Sequence, residues 1–111
     1  MNLSENKQDN VLILDLEGRL DGSNSTQVEQ QIIARIEGGD QKLIMDLARL
    51  DYVSSAGLRV FLIAAKHLQR LKGAFALCNM SAPVREIFEI SGFLEMMPTF
   101  PGRKEALQSL K

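Results

Sequence analysis

The chain has 111 residues, 45% of them apolar, with 13 basic and 14 acidic side chains. This length and apolar content suit one ordinary hydrophobic core, so we expect a single domain spanning residues 1–111. The nearly balanced charge predicts no nucleic-acid partner, and the lack of an apolar run of roughly 20 residues predicts a cytoplasmic protein without a membrane partner.

A hairpin is predicted at the N-terminal end of the sequence. Val11 to Leu16 is an apolar run typical of a strand, and it meets a turn signal at Glu17-Gly18, where we expect the strand to end. Leu3 to Lys7 is a weaker strand that would pair with it through a turn at Asp9-Asn10.

The apolar period then changes to that of a helix. Val28, Ile32 and Ile36 recur at helical spacing and predict a helix from Ser23 to Glu37, followed by a buried strand from Lys42 to Leu47. Candidates for the N-cap of this helix are Asp21, Ser23 and Asn24, and its stop signal is Gly38-Gly39.

The second half of the sequence continues the alternation of strands and helices. After a loop, a helix is expected to begin near Ser54 or Ser55 and to run to Leu71. It is followed in order by a strand, a helix, a strand and a C-terminal helix, with bounds Ala74 to Leu77, Ser81 to Gly92, Glu95 to Thr99 and Arg103 to Leu110. Because short strands separated by helices need crossover connections, the predicted class is α/β with a mixed or mostly parallel sheet.

The segment from Asp46 to Val60 runs from a strand end into a helix start, where α/β proteins commonly place functional groups. Ser54 and Ser55 put two hydroxyls where the free N–H groups of a helix point outward, so a phosphate on either serine could be held there. A serine that only caps the helix explains the same pattern. Gly57 weakens the first turn, which indicates a close approach of a partner or of the domain's own sheet.

Residues of this segment also carry a family resemblance. Asp51 to Val60, with the run Ser-Ser-Ala-Gly-Leu, resembles the signature of the STAS domain of bacterial anti-sigma-factor antagonists. Further matching segments are Gly18-Arg19-Leu20-Asp21, Leu43 to Leu47, and Ser81 to Phe88 with Ser91-Gly92. The resemblance implies a single STAS-like domain with a mixed sheet of four or five strands, flanked by about four helices.

The function implied by the resemblance is a partner switch. The unphosphorylated protein would bind an anti-sigma factor that is also a serine kinase and so release a sigma factor, and a serine phosphatase would reset the phosphorylated form. Alignment on Gly57-Leu58 places the phosphoacceptor on Ser55 and the N-cap on Ser54. Sporulation-type members carry an acidic residue where this chain has Ser54, which keeps Ser54 as the alternative acceptor. The expected partner-binding residues are Asp21, Ser54, Ser55, Ala56, Gly57, Arg59 and Val60.

The second predicted helix is apolar on almost all sides. One face carries Leu58, Phe61, Leu62, Ala65 and Leu68, and a second carries Val60, Ile63 and Ala64. Such a helix is either deeply buried or part of an interface, and the pattern suits both. A partner helix docking beside Ser55 would correspond to helix-in-groove recognition.

Other function classes find less support in the sequence. His67 has no acid to orient it, Cys78 is expected to pack as a small hydrophobe, and one histidine with one cysteine cannot form a closed zinc site. No nucleotide-binding glycine motif occurs, so we predict neither a cofactor nor enzymatic activity. Two alternatives are an accessory subunit of a transporter or signalling complex that is not phosphorylated, and an aspartate-phosphorylated receiver built on Asp21, Asp46 and Asp51.

Overall fold

An antiparallel hairpin begins the fold. In the computed structural model, which describes residues 1–110, β1 (Asn2–Gln8) pairs with β2 (Val11–Leu20). The two turn residues, Asp9 and Asn10, have φ angles of 53° and 66°, the left-handed conformation that a tight two-residue hairpin turn requires. The predicted hairpin is confirmed.

Strand β2 is longer than its apolar run predicts. It continues past Glu17 to Leu20, with Gly18 at φ 108° beside a shift in strand register. The predicted end at Glu17-Gly18 is therefore wrong, because the glycine forms a bulge within the strand and not a turn.

The two halves of β2 pair with different strands. The first half lies parallel to β3 (Lys42–Asp46), and the second half lies parallel to β4 (Leu50–Val53). The sequence predicted a loop where β4 lies, because a strand of four residues gives too short a pattern to recognise.

The remaining elements complete an α/β fold. They are α1 (Ser25–Glu37), α2 (Ser55–Arg70), β5 (Ala74–Cys78), α3 (Ala82–Ser91), a 3₁₀ helix (Phe93–Met96), β6 (Thr99–Phe100) and α4 (Arg103–Ser109). The strand order is β1-β2-β3-β5-β6, with β4 beside β2, and every pairing except β1 with β2 is parallel. The predicted class, mixed sheet and four α-helices are confirmed, and the described residues form six strands where four or five were expected.

The strand predicted from Glu95 to Thr99 is largely wrong. The 3₁₀ helix occupies the first part of that range, and β6 begins only at Thr99. Pro98 precedes β6 and has no N–H to donate to a strand ladder, while its carbonyl accepts a 2.9 Å hydrogen bond from the Leu77 N–H.

Helices cover the two faces of the sheet unequally. Helices α1, α2 and α3 pack on one face, where Phe61 of α2 and Phe88 of α3 meet with ring centroids 5.4 Å apart. Helix α4 packs on the opposite face, and its Ala106 and Leu107 lie with Cys78 in a smaller apolar cluster. Cys78 is 1% exposed and unbridged, which confirms that it packs as a small hydrophobe.

Burial within the domain accounts for most of the apolar surface of α2. The buried residues of this helix are Gly57, Leu58, Val60, Phe61, Ala64 and Leu68. Leu62 and Ile63 remain half-buried on the side toward solvent. None of the helices in residues 1–110 combines the length and hydrophobicity needed to cross a bilayer.

Candidate functional site

The start of α2 is fixed by its capping residue. The Ser54 hydroxyl accepts a 3.2 Å hydrogen bond from the Gly57 N–H, and the Ser54 N–H donates to the Leu20 carbonyl at 2.9 Å. These bonds confirm Ser54 as the N-cap. They also place the chain that leaves β2, including Asp21, beside the first turn of α2.

Ser55 differs from Ser54 in both exposure and bonding. It is the first residue of α2, its side chain is exposed, and its hydroxyl has no hydrogen-bond partner within residues 1–110. The N–H groups of Ser55 and Ala56 have no acceptor within the helix, since a helix start leaves its first donors unpaired. The site therefore combines a free hydroxyl with two backbone donors at the positive end of the helix dipole.

Gly57 is explained by packing inside the domain. A Cβ atom at this position would lie 2.7 Å from the Leu20 carbonyl oxygen and 2.7 Å from Cγ2 of Val53. The helix approaches the strands this closely only because residue 57 has no side chain. Gly57 and Val60 are both buried, so the accessible members of the expected partner surface are Asp21, Ser54, Ser55, Ala56 and Arg59.

A polar rim borders the helix start. The Asp21 carboxylate accepts hydrogen bonds from the Ser23 hydroxyl at 2.6 Å and from the Ser23 N–H at 2.9 Å, and these bonds lower the pKa of Asp21 below its ordinary value. The Arg19 guanidinium lies 4.4 Å from the centre of the Tyr52 ring, in a cation–π contact between paired strand residues. This pair could not be predicted from the sequence, because only the register of β2 with β4 brings the two side chains together.

Asn24 is the N-cap residue of α1, as predicted, but its side chain binds the turn before the helix and not a helix N–H. Its side-chain N–H donates to the Arg19 carbonyl at 2.7 Å, and its side-chain oxygen accepts from the Asp21 N–H at 3.0 Å. Helix α1 consequently begins at Ser25 and not at the predicted Ser23, without a side-chain cap. The Asn24 bonds stabilise the loop that carries Asp21 toward the α2 start.

Asp46 anchors the C-terminal helix. Its carboxylate is 4% exposed and accepts hydrogen bonds from Arg103 Nη2 at 2.9 Å and from the Ala48 N–H at 3.0 Å. Arg103 also reaches Asp15 at 2.7 Å, and the Asn79 amide donates to Asp46 at 3.1 Å. The network thus ties the start of α4 to the end of β3 and to the middle of β2.

The receiver hypothesis finds no support in this arrangement. Asp46 is enclosed by Arg103, whereas Asp21 lies in the loop after β2 and Asp51 is exposed on β4. Within residues 1–110, no three carboxylate, histidine or cysteine side chains are grouped to hold a metal ion.

Neither of the other reactive side chains is arranged for catalysis. His67 contacts Arg70, with 3.1 Å between Nδ1 and Nη2, and is not oriented by a carboxylate. Burial, with a smaller contribution from the nearby Asp46 carboxylate, raises the pKa of the Cys78 thiol to about 12. A thiol with this pKa stays protonated and unreactive near neutral pH.

Comparison with known proteins identifies the domain. Residues 2–106 match the STAS domain. Over 111 residues the chain is 42% identical to BtrV of Bordetella bronchiseptica, a protein named as a candidate anti-sigma factor antagonist, and the match covers 100% of this chain and 96% of BtrV. It is 30% identical over 102 residues to the anti-sigma F factor antagonist of Paenibacillus polymyxa, covering 91% of this chain and 87% of that protein.

Solved structures show the same fold. The Bacillus cell fate determinant SpoIIAA, solved in its phosphorylated form, superimposes with a TM-score of 0.75 at 23% identity, covering 99% of this chain and 100% of SpoIIAA. The chain therefore belongs to the STAS domain family.

Proposed function

We propose that this chain is an anti-sigma factor antagonist whose binding is switched by phosphorylation of Ser55. Unphosphorylated, it binds a cytoplasmic anti-sigma factor that is also a serine kinase, and a sigma factor is released. Phosphorylation of Ser55 by that kinase weakens the complex, and a serine phosphatase restores it. On this proposal the chain is a binding protein and not an enzyme.

One observation carries the choice of Ser55. Its hydroxyl is exposed and free of hydrogen bonds, whereas the hydroxyl of its neighbour Ser54 is half-buried and engaged by the Gly57 N–H. A kinase can reach the first hydroxyl without disturbing the helix, but modification of the second would remove the cap. The names of the two curated relatives, both anti-sigma factor antagonists, support the class of partner.

The local geometry suits a phosphate on Ser55. The unpaired N–H groups of the first turn and the helix dipole favour an anion at this position. Arg59 is exposed one turn further along α2, at the i+4 spacing that allows an ion pair with residue 55. The modified domain can therefore stay folded, and the effect falls on the partner, which would have to enclose a doubly charged group.

The acceptor is tested by incubating the wild type, Ser55→Ala and Ser54→Ala with the purified kinase and ATP. The kinase is first obtained by capture on the immobilised wild-type chain and identified by mass spectrometry. We expect one phosphate on the wild type and on Ser54→Ala, and none on Ser55→Ala. A phosphate located on Ser54 by peptide sequencing would overturn the assignment.

Affinity measurements test the switch itself. We expect Ser55→Ala to bind the kinase as tightly as the unphosphorylated wild type, and Ser55→Asp to bind poorly, because the partner cannot readily desolvate the added charge. Calorimetric titration measures both affinities. Equal affinities for all three forms would refute the switch, and capture of a transport ATPase in place of a kinase would favour the accessory-subunit alternative.

A further inference from the structure

The side of α2 that faces solvent has an unusual charge distribution. Four exposed residues and the half-buried Ile63 follow Ser55 at helical spacing and form one continuous stripe. We call this stripe the α2 basic face, and it consists of Arg59, Ile63, Lys66, Gln69 and Arg70. From Ser55 to Arg70 the helix rises about 22 Å, which is the length of a four-turn helix laid beside it.

The cations of this face lack carboxylate partners within the described part of the domain. Helix α2 contains no acidic residue, and neither Arg59, Lys66 nor Arg70 has a carboxylate within 4.0 Å in residues 1–110. Every arginine outside α2 does pair with a carboxylate, at distances of 3.9 Å or less; these are Arg19, Arg35, Arg49, Arg85 and Arg103. The domain thus neutralises its arginines everywhere except on this face.

Folding alone does not explain the position of Arg59. Arg70 lies in the last turn of α2, where a cation interacts favourably with the helix dipole. Arg59 lies in the second turn of α2, far from the last turn where the dipole favours a cation, and no carboxylate lies within 4.0 Å of it in residues 1–110. An exposed arginine in this position gains no ion pair within the domain, so we expect it to contact an external anionic group.

The shape of the face suits a protein partner. A depression of about 600 Å³ is lined by Ile63, Lys66, Gln69 and Arg70. Ile63 is only half-buried and lines this depression, so the face offers apolar contact beside its cations. This combination matches an amphipathic segment whose apolar side chains are flanked by glutamates or aspartates.

We propose that the α2 basic face docks an acidic amphipathic helix of the anti-sigma factor. The inference rests on the proposed function and adds the chemistry of the partner surface. Ser55 lies at one end of the face, one turn from Arg59, so a phosphate there neutralises Arg59 and repels the acidic helix. Phosphorylation then acts on the electrostatic attraction along the face as well as on contacts at the serine itself.

A charge reversal tests the proposal against a matched control. Lys66→Glu and Lys104→Glu each change the formal net charge from −1 to −3, but Lys104 lies on α4, on the opposite side of the sheet. Binding to the purified anti-sigma factor is followed by surface plasmon resonance at several salt concentrations. We expect Lys66→Glu to slow association at least fivefold at low salt and less at high salt, and Lys104→Glu to change it less than twofold.

Each outcome of this experiment bears on one claim. If the wild type and both variants bind alike, the docking face is refuted while the proposed function stands. If the wild type does not bind the anti-sigma factor, the proposed function fails and this inference fails with it. If anti-sigma affinity is unchanged but Lys66→Glu abolishes co-sedimentation with phosphatidylserine vesicles, the face binds a membrane surface and the proposal is wrong.

Discussion

The substitution Gly57→Ala tests how the start of α2 is positioned. In a free helix, alanine is more favourable than glycine by about 1 kcal/mol, so helix propensity alone predicts stabilisation. The structure predicts the opposite. The added methyl group would lie 2.7 Å from the Leu20 carbonyl oxygen, and also 2.7 Å from a methyl carbon of Val53.

The size of the destabilisation depends on which of the atoms around the added methyl group can move. A side chain such as Val53 can adjust, but the Leu20 carbonyl belongs to β2 and accepts the Ser54 N–H, so it is held by the backbone. The first turn of α2 must shift outward instead, and overpacking of this kind costs about 1–3 kcal/mol. Because the carbonyl cannot yield, we expect a cost near the upper end of this range, about 2–3 kcal/mol. The gain of about 1 kcal/mol in helix propensity then leaves a net destabilisation of about 1–2 kcal/mol and a fall in melting temperature of about 5–10 °C.

Gly22→Ala is the matched control for this experiment. No atom lies within 4 Å of the position of its added methyl group, and Gly22 is not among the residues with positive φ. Its free energy of unfolding in urea should stay within about 0.5 kcal/mol of the wild type. If Gly57→Ala proved as stable as the wild type or more stable, the close contact between α2 and β2 would not explain the glycine.

Three further predictions concern the cap, the α4 anchor and the buried thiol. Ser54→Ala should destabilise the domain by about 1 kcal/mol in urea unfolding, because the Gly57 N–H loses its acceptor. Arg103→Gln should cost about 2 kcal/mol, because the buried Asp46 keeps its other hydrogen bonds but loses its cation, whereas the neighbouring Lys104→Gln should have little effect. Burial raises the pKa of Cys78 from 9.0 to about 12, so its contribution to stability is complete below pH 9 and is lost as the pH rises to 12. The wild type should therefore lose more stability than Cys78→Ala over that interval, and equal losses in thermal unfolding would contradict the burial of the thiol.

Local signals explain which parts of the fold could be predicted. The turn at Asp9-Asn10 and the cap at Ser54 depend on residues adjacent in sequence, whose side chains act on their own backbone. The periodic helices were predicted for the same reason, since the apolar stripe of a helix is visible within a short window. Ser55 was selected by the family resemblance, and the structure adds the contrast in bonding with Ser54.

Contacts between distant residues could not be predicted in this way. The Asp46–Arg103 anchor joins residues 57 positions apart. The close contact of Gly57 with Leu20 depends on the pairing of β4 beside β2. From the sequence alone, Gly57 could be explained by the close approach of either a partner or the sheet. Val60 was predicted to bind the partner, but it is buried in the domain. The α2 basic face likewise could not be predicted from the balanced total charge. Only the fold shows that, within residues 1–110, the arginines outside α2 pair with carboxylates and those of α2 do not.

Phosphorylation of Ser55 should separate binding from stability. An anion at a helix start is stabilising by about 0.3–1 kcal/mol when exposed, and a pair with Arg59 would add a few tenths more, so the melting temperature should rise by a few degrees at most. Affinity for the anti-sigma factor should fall at least a hundredfold, or about 3 kcal/mol, because the partner must desolvate the phosphate and loses its contact with Arg59. Thermal unfolding of both forms, paired with calorimetric titration, measures the two effects. A fall in melting temperature of more than about 10 °C on phosphorylation would mean that the switch unfolds the helix start, since a phosphate on an intact α2 has no contact that could destabilise the domain that much.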